Sequence, residues 1–395
     1  MWRSWEQVHE TVEPVFWRDG HLVVAGPAEV RKVLADPDTY RPDNALDAVT
    51  PMSVAVMRVL AKYRFKLPAT LANNGTDSHP MIRGAVFDAM HPARVEALRP
   101  WLTGIVRRRV APLMRRLRAG EAVDLHASLT TDLPLLVLAR LIDLPVADVR
   151  RVKDFSAAAL ELFWAPLPLD RQLLLADKVG QYHRELREIA RTGPGLARDL
   201  REAGLTENEV TAALFFLLVA GQETTSQFLT LLLHRLAEEG LPDGYDTADV
   251  VEEGLRLDPP IPTWRRLAAL PSTLSGVDVP VGTSVLLWLG AAGRAVAADP
   301  HAMVPGQRGS RRHLAFGAGA HRCVGAQLAR MEAAVVLDEV APLLRRSTVV
   351  TAPSFPANLS FRMPDTLVVR STDPAPARRT GAAPRTDPAR PTGPV

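Results

Sequence analysis

Apolar residues recur at helical spacing through the middle of the chain. Between residues 94 and 205, stripes of Leu, Val and Ile alternate with charged positions, which is the pattern of amphipathic helices. Nearer the start, residues 21–25 read as a short strand, and residues 28–34 read as an amphipathic helix. By contrast, residues 50–75 are apolar without a clear period, which suits a loop over a pocket.

A longer helix is predicted to begin at the capping-box pair Thr206 and Glu209 and to run to about Glu239, where Gly240 closes it. Midway it reaches residues 220–225, Ala-Gly-Gln-Glu-Thr-Thr. Gly, Gln and Thr are poor choices for the middle of a buried helix, because they lower helix propensity or compete for backbone hydrogen bonds. We interpret this segment as a functional kink. The structural alternative is a threonine hydroxyl bonded to the carbonyl four residues earlier.

The single cysteine of the chain, Cys323, lies in residues 316–325, Phe-Gly-Ala-Gly-Ala-His-Arg-Cys-Val-Gly, called the cysteine loop below. A helical pattern follows, and a helix N-terminus lowers a thiol pKa and so favours the metal-ligating thiolate. Gly317, Gly319 and Gly325 allow positive φ or close approach to a flat ligand. Without a second cysteine, an intrachain disulfide and a multi-cysteine metal site are excluded. Haem ligation, nucleophilic catalysis and inert packing remain open.

Composition limits the class of protein. The 395 residues are 47% hydrophobic, which is enough for one large domain or two smaller ones. The formal charge of +3 is small for this size and comes without a basic block, so nothing suggests a nucleic-acid partner. The first residues lack the apolar core of a signal peptide, and no apolar run is long enough to span a membrane. With one cysteine, this predicts a cytoplasmic protein. Residues 371–395, rich in Pro, Arg and Thr, are predicted to be a disordered tail.

The spacing Phe-Gly-x-Gly-x-His-x-Cys-x-Gly, followed by Leu-Ala-Arg, resembles the haem-thiolate loop of the cytochrome P450 family. The resemblance covers roughly residues 20–370. It implies a mainly α (α+β) fold, a helical domain at residues 1–370 with small β-sheets, and haem b between the long helix and the cysteine loop. Cys323 would be the iron ligand. The other haem-pocket residues that the motif implies are Phe316, Gly317, His321 and Gly325.

Residues 220–225 are similar to the oxygen-activation motif of the same family. The resemblance implies that Ala220 and Gly221 leave room for O₂ over the iron. Glu223 and Thr224 would relay protons, as the cleavage of O₂ by general acid catalysis requires.

A further motif places His79 and Arg83 four residues apart on one helical face. In the family, this pair binds a haem propionate, and a charge-assisted bond from Arg to carboxylate is strong. Arg266 matches the second propionate-binding arginine of the family. Arg265 is its neighbour, so the assignment could be off by one position.

Glu253 and Arg256 resemble the Glu-x-x-Arg pair of the family. Two departures lie nearby. Ala302 stands where the family usually has an arginine that joins this pair, and residues 293–295 are Gly-Arg-Ala instead of Asn-Arg-Asp. These changes put the local support of the haem loop in doubt but leave the ligand intact.

The resemblance implies a monooxygenase that inserts one atom of O₂ into its substrate by hydroxylation or epoxidation. Electrons would come from a ferredoxin and an NAD(P)H-dependent ferredoxin reductase. By the resemblance, residues 50–75 would roof the substrate site and the segment near residues 155–167 would form a mobile lid, although ordinary core is an equal alternative for the latter. The apolar residues of both segments predict an apolar, secondary-metabolite-type organic substrate. We expect a monomer. An acidic ferredoxin would dock on the basic surface of Arg308, Arg311, Arg312 and Arg322. The candidate substrate contacts by family position are Leu71, Trp164, Phe216, Ala220, Ile261 and Thr263.

Three alternatives stay open. The first is a haem-thiolate enzyme that uses peroxide or couples rings, and the second is a haem-binding sensor or carrier without turnover. Glu223 and Thr224 argue against both, because neither function needs a proton relay. The third is a helical scaffold without a cofactor, which would leave the polar residues 222–225 unexplained.

Overall fold

The computed structural model describes residues 13–66, 69–76 and 78–372, so almost all of the predicted tail lies outside the described residues. Helices dominate the described part, in agreement with the predicted class. The α-helices, in chain order, are α1 (Pro27–Ala35), α2 (Val54–Lys62), α3 (His79–Ala89), α4 (Pro92–Ala97), α5 (Arg99–Arg118), α6 (Leu133–Leu141), α7 (Val149–Trp164), α8 (Leu169–Thr192), α9 (Leu196–Glu202), α10 (Glu207–Glu239), α11 (Thr247–Leu257), α12 (Leu289–Arg294) and α13 (Ala326–Leu344).

The strands are short and form three small sheets. A five-stranded sheet has the order β1-β2-β8-β5-β3, in which only β2 and β8 run parallel. The others are a three-stranded sheet, β4-β10-β9, and the hairpin β6-β7. The strands are β1 (Val15–Arg18), β2 (His21–Val24), β3 (Tyr40–Arg41), β4 (Val123–Asp124), β5 (Trp264–Ala268), β6 (Ser272–Leu274), β7 (Val277–Val279), β8 (Ser284–Leu287), β9 (Ser347–Thr351) and β10 (Val368–Ser371).

The long helix α10 passes through the core and packs against α6, α7, α8, α11 and α13. Its predicted start is confirmed, because both hydrogen bonds of the capping box between Thr206 and Glu209 are present. Gly240 ends it with φ of 88°, a conformation that favours glycine. The helix runs without interruption through residues 220–225, so the predicted kink does not break it.

The prediction of an irregular loop for residues 50–75 is wrong in part, because this segment contains α2. Ser53 caps the helix by accepting a hydrogen bond from the Val56 amide. Val56 and Leu60, one turn apart, are the buried residues. Val54 and Met57 are 68% and 55% exposed. These exposed apolar residues on the outer face hid the helical period in the sequence.

The segment predicted as a lid, near residues 155–167, forms most of the second half of α7 and belongs to the core. Phe155 packs flat against Tyr182 of α8 and edge-on to Phe215 of α10. The end of α7 is held by backbone hydrogen bonds from Val49 and Leu359 to the carbonyls of residues 163 and 164. No helix within the described residues combines the length and the hydrophobicity that crossing a bilayer requires.

Candidate functional site

A cavity with about 1350 Å³ of empty space, counting its open mouth, lies between α10 and the cysteine loop. Cys323 and Phe316 line one wall, and Phe216, Ala220 and Thr224 of α10 line another. The structure thus brings together the two segments that the sequence singled out.

The backbone of the cysteine loop needs its glycines. Gly317 and Gly319 have φ of 63° and 70°, where other residues are strained. A Cβ at Gly319 would lie 2.1 Å from the carbonyl oxygen of Leu34, at the end of α1. The loop closes on itself where the Cys323 amide donates to the carbonyl of Phe316 at 2.9 Å.

The thiol of Cys323 faces the cavity in a mixed electrostatic environment. Burial raises its pKa. The amide of Gly325 and the guanidinium groups of Arg83 and Arg330 oppose this by favouring the thiolate. The lowering of the pKa that the following helix predicts is therefore outweighed by desolvation.

Cationic and imidazole side chains converge on the edge of the cavity. His79 stacks on His321 with ring centroids 4.2 Å apart. His321 lines the cavity, whereas His79 does not. Nε2 of His321 donates to the carbonyl of Asn74 at 3.0 Å. Burial lowers the pKa of His321 to about 4 and that of Arg266 to about 10. Arg83 completes this group, and burial also lowers its pKa.

Arg265 and Arg266 differ in their contacts. Arg266 lines the cavity and donates to the carbonyl of Arg265. Arg265 points the other way and donates to the carbonyls of Ala45 and Asp47. The two neighbours lie on opposite faces because side chains alternate along β5.

This donor set fits haem b. Among the described residues, no carboxylate pairs with Arg83 or Arg266, and the buried Nε2 of His79 has no hydrogen-bond partner. Buried cations and donors without partners are costly, and two propionates would supply the missing acceptors. Cys323 adds one soft ligand of the kind that binds haem iron.

The α10 wall differs from the expectation in two respects. The Thr224 hydroxyl lines the cavity and donates to the carbonyl of Ala220 at 2.7 Å, which is the structural alternative named above. A Cβ at Gly221 would approach Leu138 Cδ2 of α6 at 3.2 Å. Gly221 lines the cavity, and its missing side chain also permits close packing of α6 on α10.

Glu223 does not line the cavity, although the sequence predicted that it would serve there. Its carboxylate faces α7, where Oε1 lies 2.7 Å from Nζ of Lys153. The same oxygen accepts hydrogen bonds from Ser156 Oγ at 2.6 Å and Gln222 Nε2 at 2.9 Å. Glu223 directly precedes Thr224, and consecutive residues of a helix point about 100° apart. Lys153 of α7 supplies the countercharge on the side that Glu223 faces.

Three of the predicted substrate contacts, Leu71, Phe216 and Ile261, line the cavity as Ala220 does. Trp164 and Thr263 do not. Trp164 is buried behind Trp264 and Phe361, and the hydroxyl of Thr263 is bonded to the carbonyl of Leu359.

Trp264 is a cavity residue that the sequence reasoning missed. Its ring stacks on that of Trp164 at 6.1 Å and meets Phe361 edge-on. The alternation of β5 was the available signal, because Trp264 and Arg266 share one face of that strand.

Glu253 and Arg256 form a fully buried ion pair at 2.6 Å. Arg256 also donates to the carbonyls of Pro300 at 2.8 Å and Ala302 at 3.0 Å, so the backbone of Ala302 contributes although its side chain cannot. Oε1 of Glu253 has no hydrogen-bond partner. Burial raises the pKa of this carboxyl, and the contacts with Arg256 and Gln307 only partly offset that rise.

Known proteins resemble this chain in sequence and in fold. The family model for cytochrome P450 matches residues 247–352. The erythromycin C-12 hydroxylase of Saccharopolyspora erythraea is 27% identical over 372 residues, 88% of each chain. A protein assigned to cytochrome P450 123 in Mycobacterium tuberculosis is 30% identical over 286 residues, which are 68% of this chain and 69% of that protein.

The solved structure of cytochrome P450 CREJ in complex with (4-ethylphenyl) dihydrogen phosphate superposes with a TM-score of 0.85. It is 26% identical, and the match covers 94% of this chain and 96% of that one. The chain therefore belongs to the cytochrome P450 family of oxidoreductases, and its cofactor is haem b.

Proposed function

We propose that the protein is a haem-thiolate monooxygenase that inserts one oxygen atom from O₂ into an apolar organic substrate. The observation that carries this proposal is the cavity itself, with Cys323 on one wall and Thr224 on an apolar wall of α10. Haem b, when bound through a thiolate, supplies the oxygen-activating chemistry. The chain's own residues must bind and orient both ligands and supply protons.

We assign the haem-binding roles from the donors at the cavity. Cys323 would ligate the iron, and Arg83, Arg266 and His79 would bind the propionates, because these groups have no carboxylate partners among the described residues. His321 would hold its neighbour His79 by stacking, with its own Nε2 fixed on the carbonyl of Asn74.

Thr224 and Glu223 would handle protons, Thr224 at the cavity and Glu223 from the side of α10 that faces α7. The hydroxyl hydrogen of Thr224 is engaged by Ala220, which leaves its oxygen free to accept a hydrogen bond from water in the cavity. Glu223 is held behind the wall by its ion pair with Lys153. It can serve the cavity only when this ion pair opens and the side chain turns.

The distal cavity favours an uncharged, apolar substrate. Leu71, Phe216, Ile261 and Trp264 contribute hydrocarbon or aromatic surface. Thr224 and Thr225 are the polar side chains that α10 contributes to the lining. The printed name of the Saccharopolyspora relative, a hydroxylase, supports hydroxylation as the reaction.

Electrons would arrive from a ferredoxin on the side of the cysteine loop. Arg308, Arg312 and Arg322 are exposed there and, among the described residues, have no carboxylate partner. Arg311 pairs with Asp249 at 2.7 Å and is largely neutralised. Exposed cations of this kind steer an acidic partner and set its orientation.

The experiment combines a spectrum with a turnover assay. Reduced protein under carbon monoxide should show the strongly red-shifted Soret band of a thiolate ligand, and Cys323→Ser should lose it. With ferredoxin, ferredoxin reductase and O₂, an apolar substrate should increase NADPH consumption and form an oxygenated product. An unshifted band in the parent protein would refute the haem-thiolate assignment, and a normal band without substrate-dependent turnover would refute the monooxygenase.

A peroxide-driven enzyme is the second candidate, and the position of Glu223 favours it. A carboxylate paired with Lys153 outside the cavity is not ready to deliver protons, and a reaction that begins from peroxide does not need that delivery. Turnover with hydrogen peroxide that exceeds ferredoxin-supported turnover would select this candidate.

A further inference from the structure

Two adjacent acidic residues on α11 serve different parts of the protein. Glu253 binds Arg256, which holds the segment at residues 300–302. Glu252 faces the cysteine loop and α13, and it is only 3% exposed. Its two carboxylate oxygens accept hydrogen bonds from Nε and Nη2 of Arg330. Oε2 also accepts a hydrogen bond from Nε2 of His313 at 3.2 Å.

The charges in this cluster balance. Burial alone would raise the pKa of Glu252, but the hydrogen bonds from His313 and Arg330 outweigh it and bring the pKa to about 2. His313 donates from Nε2 and accepts from the Ala315 amide at Nδ1, which is the pattern of a neutral imidazole. Glu252 and Arg330 are therefore a neutral pair.

Contacts lead from this pair to the ligand residue without a gap. The guanidinium of Arg330 lies over the ring of Phe316, 4.5 Å from its centroid. The ring of His313 is 6.0 Å from the same ring. The carbonyl of Phe316 accepts the hydrogen bond of the Cys323 amide. The charge of Arg330 is also felt at the Cys323 sulfur.

We propose that Glu252 is a positioning residue of the haem-thiolate site. It holds Arg330 over Phe316 and neutralises the cation beside Cys323, so that it tunes both the placement and the charge of the loop. This proposal rests on the haem-thiolate function proposed above and deepens it. It also explains how the loop is supported although Ala302 replaces an arginine and Glu253 keeps an unpaired oxygen.

The test uses the midpoint reduction potential of the haem-loaded protein, because groups around a ligand tune potential through charge. In Glu252→Gln, the cation of Arg330 is no longer balanced. A positive charge near the thiolate stabilises the reduced state, so the potential should rise. In Arg330→Gln, the anion of Glu252 remains, so the potential should fall. The double variant removes both charges and should return close to the parent value.

Opposite shifts in the two single variants distinguish charge from loosening of the fold, which would move both in one direction. Glu339→Gln is the control, since it removes a carboxylate of α13 that pairs with Arg107 near the surface, and it should leave the potential unchanged. Equal or same-sign shifts in the single variants would overturn the proposal.

Conservative variants keep the test decisive if Glu252→Gln binds no haem. Arg330→Lys retains the charge and loses the paired bonds, so it should shift the potential less than Arg330→Gln. An equal shift would contradict the charge argument. The carbon monoxide spectrum separates this inference from the function on which it rests. If the parent protein lacks the red-shifted band, the proposed haem-thiolate function is refuted. If the band is red-shifted but the variant potentials do not shift, only the role of Glu252 is refuted.

Discussion

Gly319→Ala and Gly317→Ala separate the two reasons for which the cysteine loop uses glycine. Both residues have positive φ, 70° and 63°, so a Cβ at either position costs roughly 1–2 kcal/mol of backbone strain. At Gly317 the added methyl group meets no protein atom within 4 Å. At Gly319 it would lie 2.1 Å from the Leu34 oxygen and 3.1 Å from the carbon of that carbonyl.

The overlap at Gly319 cannot be relieved by turning a side chain, because the obstacle is backbone of α1. Real Cβ atoms essentially never come closer than 3.0 Å, so α1 and the loop must separate by about 1 Å. Overpacking of this kind typically costs about 1–3 kcal/mol. Together with strain, we expect about 3 kcal/mol or more for Gly319→Ala and about 1–2 kcal/mol for Gly317→Ala in the haem-free protein.

Urea unfolding of the haem-free variants, followed by circular dichroism, measures this difference as a shift in midpoint at constant slope. Haem retention adds a second readout. Gly317 lines the cavity, so Gly317→Ala should weaken haem binding more than its small effect on unfolding would suggest. Equal midpoints for the two variants would refute the argument that the contact with Leu34 constrains the loop.

Three further outcomes can be measured. Arg266→Leu should lower haem affinity roughly 10- to 100-fold by removing a charge-assisted bond to a carboxylate, whereas Arg265→Leu should mainly lower stability, and competitive haem transfer to apomyoglobin distinguishes the two. Trp264→Ala should lower the affinity for an aromatic ligand by roughly tenfold or less, measured by titrating the Soret shift that the ligand induces. An unchanged affinity would exclude this wall from the substrate site. The low pKa of Glu252 contributes stability that is present above its unfolded value near 4.5 and is lost as the pH falls toward about 2. The free energy of unfolding of Glu252→Gln should therefore fall less steeply with pH in this range than that of the parent protein. Curves of equal slope for the two proteins would contradict the ion pair with Arg330.

Much of the site could be predicted because its motifs are contiguous. The cysteine loop specifies a ligand, the glycines that its turns need and the start of α13 within a few residues. The capping box of Thr206 and Glu209 likewise marked the first turn of α10, since both hydrogen bonds are local. The spacing of His79 and Arg83 on one helical face was readable for the same reason.

Side-chain direction and partnership were decided by tertiary structure. Glu223 belongs to the motif but faces Lys153, which is distant in sequence, so no local pattern could show that it leaves the cavity wall. The period of α2 was hidden because Val54 and Met57, on its exposed face, are as apolar as the buried residues. The sequence could not distinguish the neighbours Arg265 and Arg266, because the pairing of β5 with β8 determines which of them faces the cavity.

The sequence by itself therefore determined the groups that the cavity brings together: one cysteine in a glycine-rich loop, a helix with a polar segment opposite it, and the cationic side chains of Arg83 and Arg266. These features reside in short motifs whose backbone geometry is local. Only the tertiary structure decided the wall formed by Trp264 and the support of the loop by Glu252. Those roles depend on which elements pack together, and Glu252 finds its partners, His313 and Arg330, more than sixty residues further along the chain.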